Sequence, residues 1–412
     1  MRAALVLLAA CAAAVPELPG KGGPAWLELR SEHFTLWTDV EMGRATELAR
    51  QLEYLHQVVY GVAFPGRDRS GRSLVIALRD SYEIHAYVPA QFSAFSWPDA
   101  NPLLLPVIVF AGDTNERDGH VITHELTHVI SHVAIHRQPV WFAEGIAQFF
   151  ETVRLDPDKA VVDVGEPLAT QVAQVRGLAL VPGPRLFACT ALTCRDGAFY
   201  MTSALVFAYL ANTHPDQLLA YEDRLAAGDG PERAWVQSFP EVPIDAIDRT
   251  VHAWALQGSH RIWHFKVQLA RTRFEQRFLS DAEVLAIRAL LSDSFDPRGV
   301  RTQHAVAAAL AADPTNMVAR LVASDRANQV ALADARAVAR AHPQDWRAWW
   351  LELMAHATGD EAKIARARAC TLAGRNAANM VPAKLCPSVH AVDVVPGGGE
   401  DGDQPVRPQQ VP

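Results

Sequence analysis

The stretch His124-Glu125-Leu126-Thr127-His128 limits what this chain can fold into more than any other. Two histidines four residues apart lie only about 40° apart around an α-helix, so both rings leave from one face. Val121, Ile122, Leu126, Val129, Ile130 and Val133 recur at helical spacing and form an apolar face. His124, Glu125 and His128 fall on the other side. Asp118 and Gly119 read as the helix start. Pro139 disfavours helix at its predecessor, so the helix ends ahead of Arg137-Gln138. A second helix is predicted from Val140 to Thr152, and a short turn between antiparallel helices brings its Glu144 back towards the two histidines. Two imidazoles and one carboxylate, with a fourth position left open, are a standard ligand set for Zn2+. Glu125, beside the first histidine, has the position of a base and not of a ligand.

Other polar groups crowd this helix pair. His120, His132 and His136 continue the four-residue spacing. Each step turns the face by about 40°, so five rings sweep about 160° and cannot share one ion. They read as solvated or as neighbours of the ligands. Glu151 is a weaker choice of third ligand and reads as a group that caps or solvates the end of the second helix.

His124-Glu125-Leu126-Thr127-His128, followed by Pro139-Val140-Trp141-Phe142-Ala143-Glu144-Gly145-Ile146-Ala147-Gln148, resembles the gluzincin metallopeptidases. Within them it looks most like the peptidase MA-like group of bacterial proteins. The resemblance extends upstream to Trp26–Phe34 and covers about Trp26 to Gln257. It implies an α+β zincin-type catalytic domain, a small sheet with a zinc-binding helix pair. It further implies that His124, His128 and Glu144 hold zinc while Glu125 is the general base in peptide hydrolysis. Members of this clan use a Tyr or His from a later helix to steady the oxyanion. Tyr200, on a helix predicted over Phe199–Asn212, is the candidate, unless it merely packs against the helix hairpin. Thermolysin-like members place an Asp four residues after the third ligand to orient a ligand histidine. Gln148 stands there instead, and its amide oxygen is the available substitute. The last strand before the metal helix, here Pro106–Ala111, is expected either at a sheet edge that pairs with an extended substrate or inside the sheet.

Strands at Trp26–Leu29, Phe34–Trp37 and Leu74–Leu78 flank a strong amphipathic helix over Met42–Val59. The aromatic segment Glu83–Leu105, with Tyr87, Phe92, Phe95 and Trp97, is a loop over the cleft or a packed connection. From His260 onward the chain reads as all helical. Ala312-Asp313-Pro314-Thr315-Asn316 and Ala341-His342-Pro343-Gln344-Asp345 are similar turns between helix pairs and resemble tetratricopeptide-like repeats. Two such turns fit either a small repeat domain that binds a protein partner or a plain helical bundle. The expected layout is an export or lipoprotein signal over 1–15, a tether over 16–24, the catalytic domain over 25–258, an all-α domain over 259–395 and a disordered tail over 396–412.

The net charge of −8, with no basic block, argues against nucleic acid as a partner. Met1-Arg2 precede a short apolar run over Ala3–Ala10, an export signal too short to span a bilayer. Leu8-Ala9-Ala10-Cys11 looks like a bacterial lipobox, which would lipidate Cys11 and anchor the chain in the cell envelope, facing the periplasm; the alternative is a plain secretory signal. Cys189, Cys194, Cys370 and Cys386 are either two local disulfides, Cys189–Cys194 and Cys370–Cys386 in the simplest pairing, or reduced thiols. A competing function class is a non-catalytic envelope scaffold that binds through its C-terminal helices. The intact Glu125 argues against it, since a scaffold has no chemical need of a base.

Overall fold

The computed structural model describes residues 15–67, 72–89, 93–98, 101–113, 119–156, 160–166, 177, 179–190, 194–258, 260–266, 273–327, 329–356, 359–373 and 386. The signal with Cys11, Phe92, Asp118 and the tail over 396–412 lie outside them.

Six strands form the main sheet: β1 (Leu27–Arg30), β2 (Phe34–Thr38), β3 (Ser73–Leu78), β4 (Ala94–Trp97), β5 (Val107–Ala111) and β9 (Glu275–Phe278), in the order β4-β5-β3-β2-β1-β9. β1 and β2 make an antiparallel hairpin, with Leu29 opposite Leu36. β2, β3 and β5 run parallel. α1 (Met42–Ala63) makes the crossover between β2 and β3, burying Ala45, Leu48, Leu52 and Val59. The Glu41 side chain caps its first turn by accepting from the Gly43 and Arg44 amides. β3 and β5 are near-continuous apolar runs because both their faces are covered. Val75, Ala77, Ile108 and Phe110 face the core shared with α1 and the metal-motif helices. The alternate residues Leu74, Ile76, Val107 and Val109 face the C-terminal helices.

One open alternative is decided here and one expectation is corrected. The strand before the motif helix is internal: β5 lies between β3 and β4, so the edge strand at this end of the sheet is β4. The aromatic segment supplied that strand, with Ala94 and Phe95 buried. The region beyond His260 is also not purely helical. β8 (Trp263–Lys266) pairs with β7 (Val161–Val164), which pairs with β6 (Arg154–Asp156). β9 pairs with β1, and the Arg277 guanidinium donates to both oxygens of buried Glu28 at 2.8 and 3.0 Å. In β8, Trp263 and Phe265 alternate with exposed residues, a period-two pattern too short to stand out from helix.

After the short α2 (Ser81–Ile84), the motif helix is α3 (Gly119–Ala134) and its partner is α4 (Val140–Phe150). Between them Ile135 is fully buried, and Pro139 occupies the position before α4. Trp141 anchors α4 in an aromatic cluster with Phe187, Tyr221 and Trp235. Next come α5 (Gly183–Phe187), α6 (Gly197–Thr213), α7 (Pro215–Ala226), α8 (Pro231–Ser238) and α9 (Ile247–Gln257). α6 crosses α4 closely. A β-carbon on Gly145 would sit 2.6 Å from the Ser203 carbonyl oxygen and 2.9 Å from the Phe207 Cβ. The glycine after Glu144 is thus what lets α6 approach the site.

Six helices follow: α10 (Asp281–Asp293), α11 (Val300–Ala312), α12 (Met317–Ala327), α13 (Leu332–Ala341), α14 (Trp346–Ala355) and α15 (Asp360–Ala373). Ser280 and Glu283 form a reciprocal capping box at α10. The two similar turns join α11 to α12 and α13 to α14. These helices share a core with the sheet, since Ile287, Leu290, Val322 and Leu351 cluster with Ile76 and Val109. The segment over 16–24 also lies against them. Arg288 donates to the Pro16 carbonyl at 2.6 Å, and the Gly20 amide donates to Asp281 at 2.9 Å. Both local disulfides are formed, Cys189–Cys194 and Cys370–Cys386. Among the described residues no helix is long and apolar enough to cross a membrane.

Candidate metal centre

On α3 the four-residue spacing brings the His124 and His128 Nε2 atoms within 3.0 Å, with ring planes at 83°. The α3–α4 turn then swings Glu144 over the pair. Its Oε2 lies 3.3 Å from His128 Nε2 and 3.6 Å from His124 Nε2. One ligand atom from each of the three residues lies within 4.8 Å of the others. The carboxylate is only 5% exposed, so water does not compensate its charge. Burial pushes the Glu144 carboxyl up, but the charge of His128 and hydrogen bonds from both histidines outweigh this and hold it well below the usual range. Burial likewise pushes His124 down, while the facing Glu144 and Glu151 carboxylates and the charge of Glu125 carry it up to about 10. Two nitrogens and one carboxylate oxygen, buried and convergent, fit a divalent metal ion of borderline softness.

Glu125 is not one of those three convergent residues, but its charge reaches both His124 and Tyr200. Ser96, on the edge strand β4, donates to Glu125 Oε2 at 2.6 Å. The carboxylate is thereby fixed beside the ligand group with its other oxygen outside this bond. Tyr200, in the first turn of α6, is half-buried on the same side. Burial raises its pKa first and the charge of Glu144 adds to this, while Arg195 opposes both by charge and hydrogen bonding.

Three other assignments are resolved by contacts. Gln148 donates its amide to the Tyr200 carbonyl at 3.0 Å, a tie between α4 and α6. The carboxylate placed on the outer nitrogen of a ligand histidine is instead Glu151, 2.8 Å from His124 Nδ1. The approach is short without the alignment of a good hydrogen bond. Glu151 does stand at the C-terminal end of α4, but its side chain reaches His124. His120 Nδ1 lies 2.5 Å from the Glu151 carbonyl oxygen, which places it among the neighbours of the site. His132, one turn further along α3, and His136, just past its end, contact each other at 3.1 Å.

Partners on the outer nitrogen of a ligand histidine fix its tautomer and aim, and their loss typically costs about 10–100-fold in metal affinity. Glu151→Gln is expected to weaken metal binding in that range with no loss of fold. Competition against a chromophoric chelator, with circular dichroism as control, measures it. An unchanged affinity would show that Glu151 merely solvates the helix end.

No protein-family model matches this sequence, and no curated protein matches it. The site therefore rests on its own geometry.

A second cluster, His33, Glu53 and His56, also brings three donor atoms within 4.8 Å. Its chemistry differs. His33 gives both its amide and its Nδ1 to Glu53, each at 2.7 Å. The His33 and His56 rings stack at 3.9 Å with planes 23° apart. Nearly parallel rings direct their in-plane lone pairs side by side and not at one point, so this cluster ties β2 to α1.

Ser96 and Arg195 had no sequence signal. Both reach the site from segments far from the motif. Arg195 Nη1 lies 3.4 Å from Glu144 Oε1, the oxygen turned from the histidines.

Proposed function

We propose that this protein is a zinc-dependent peptide hydrolase in which His124, His128 and Glu144 hold the ion and Glu125 is the general base. The observation that carries the reading is a carboxylate outside the ligand set. Glu125 stands beside three convergent ligand atoms, belongs to none of them, and is held by a dedicated hydrogen bond from Ser96. A structural metal site has no use for such a group.

When bound, zinc supplies Lewis acidity and makes water acidic enough to lose a proton near neutral pH. Glu125 receives that proton from the attacking water and hands it to the leaving amine. Ser96 keeps one Glu125 oxygen occupied, so the other is the one that carries the proton. Tyr200 donates a hydrogen bond to the oxyanion, an interaction of about 2.7–4 kcal/mol in comparable sites. The open edge of β4 offers backbone groups to an extended peptide, with Ser96 marking where that peptide passes Glu125.

We place the chain in the bacterial cell envelope, anchored through lipidated Cys11. The two disulfides support an oxidising compartment. The paired helices α11–α14 are read as tetratricopeptide-like and offer a surface for a protein partner.

Zinc-loaded protein is expected to cleave members of a quenched-fluorescence peptide library. Chelation should abolish cleavage and added zinc should restore it. Zinc-loaded protein that leaves the whole library intact would contradict the reading.

A further inference from the structure

Arg195 is held from both sides. Cys194 precedes it and is bonded to Cys189, which is itself buried in the core. Asp196 follows and caps α6 by accepting from the Phe199 amide at 2.9 Å. The guanidinium is thereby placed over the metal-binding group and remains partly open, its side chain 26% exposed.

Its donors are not used up there. Nη1 faces Glu144 at 3.4 Å, longer than the roughly 2.7–2.9 Å of a charge-assisted hydrogen bond. Tyr200 is its other polar neighbour on this face. Nε is buried and has no hydrogen-bond partner among the described residues. The other nearby carboxylates are engaged elsewhere, Glu125 with Ser96 and Glu151 with His124. A guanidinium offers five donors in a planar fork suited to a carboxylate. Here that fork is fixed and partly desolvated, and among the described residues its anionic contact is the long one to Glu144, a carboxylate that also faces two histidines.

We propose that Arg195 binds a carboxylate of the substrate immediately next to the scissile bond. The inference rests on the peptide-hydrolase reading above and adds the substrate class: peptides ending in a free α-carboxylate one residue beyond the cleaved bond, or carrying an acidic side chain there. The reach fits. Arg195 is separated from the convergent ligand atoms by the single Glu144 carboxylate, and consecutive residues of a peptide are about 3.8 Å apart. The Cys189–Cys194 disulfide acts as the positioning element.

The test uses the full zinc-loaded chain carrying Glu125→Gln, so that binding is read without turnover. Three N-terminally fluorescent peptides of one sequence are compared by anisotropy: a free acid, a neutral C-terminal amide, and an amide with Asp at the last position. At least one carboxylate form is expected to bind tenfold or more tighter than the neutral amide. Preference for the free acid identifies the α-carboxylate as the source, and preference for the Asp amide identifies the side chain. Arg195→Ala should erase the preference with zinc content and thermal midpoint unchanged. Arg195→Lys, which keeps charge but not the fork, should restore part of it, and Cys189→Ala/Cys194→Ala should reduce it. Equal binding of all three peptides, or an equal loss for all three in Arg195→Ala, overturns the proposal. Wild-type protein that cleaves neutral and carboxylate peptides equally well overturns this role and leaves the hydrolase reading standing. Carboxylate-selective binding without any cleavage does the reverse.

Discussion

Glu125→Gln is expected to retain zinc at the wild-type level and to lose peptide turnover by about a hundredfold to ten-thousandfold, the range assigned to a positioned general base. The amide keeps the shape and still accepts the Ser96 hydroxyl, so the fold and the three ligands are undisturbed. What it loses is the ability to take a proton. The loss should fall on kcat and leave binding of a peptide largely intact, because Glu125 acts on the water and not on the ground-state substrate. Steady-state kinetics with metal analysis on the same sample decide this. A variant with wild-type turnover would remove Glu125 from the mechanism, and a variant without zinc would make it a ligand.

Glu144→Ala is expected to have the largest effect on the metal itself. It removes the carboxylate that, among the described residues, faces both ligand nitrogens, at 3.3 and 3.6 Å. Loss of a supporting neighbour costs about 10–100-fold, so loss of a ligand should weaken zinc binding by more than about a hundredfold. The change also strips Arg195 of its one charged contact at the site. Chelator competition reads the affinity. A variant that binds zinc as tightly as the wild type would put the third ligand elsewhere, and Glu151, 2.8 Å from His124, would be the first residue to examine.

How much of this was legible in the residues follows from the range of each interaction. The facing of His124 and His128 is a property of one helical turn, and the return of Glu144 needs only a short connection ending at Pro139. Local periodicity suffices for both. The parallel core strands were readable for the same reason, as apolar runs. The groups that tune the site were not, because they arrive by tertiary contact. Ser96 comes from a strand whose pairing with β5 leaves no pattern beyond Ala94 and Phe95 turning inward. Arg195 arrives through a disulfide loop and a crossing that depends on Gly145. Glu151 stood at the helix end, where capping was the ordinary reading, and only the three-dimensional overlap of α3 and α4 turns its side chain onto His124. Likewise β8 and β9 are four-residue strands, held by partners more than a hundred residues earlier, and so invisible to any local window.

Zinc K-edge X-ray absorption on the purified protein, with zinc counted per chain, tests the central claim most directly. The account predicts one zinc per chain, with two imidazole nitrogens at about 2.0–2.1 Å, low-atomic-number oxygen donors at about 2.0–2.2 Å, and loss of this spectrum in Glu144→Ala. Protein that takes up no stoichiometric zinc, or a spectrum with sulfur or a single imidazole in the first shell, would contradict it.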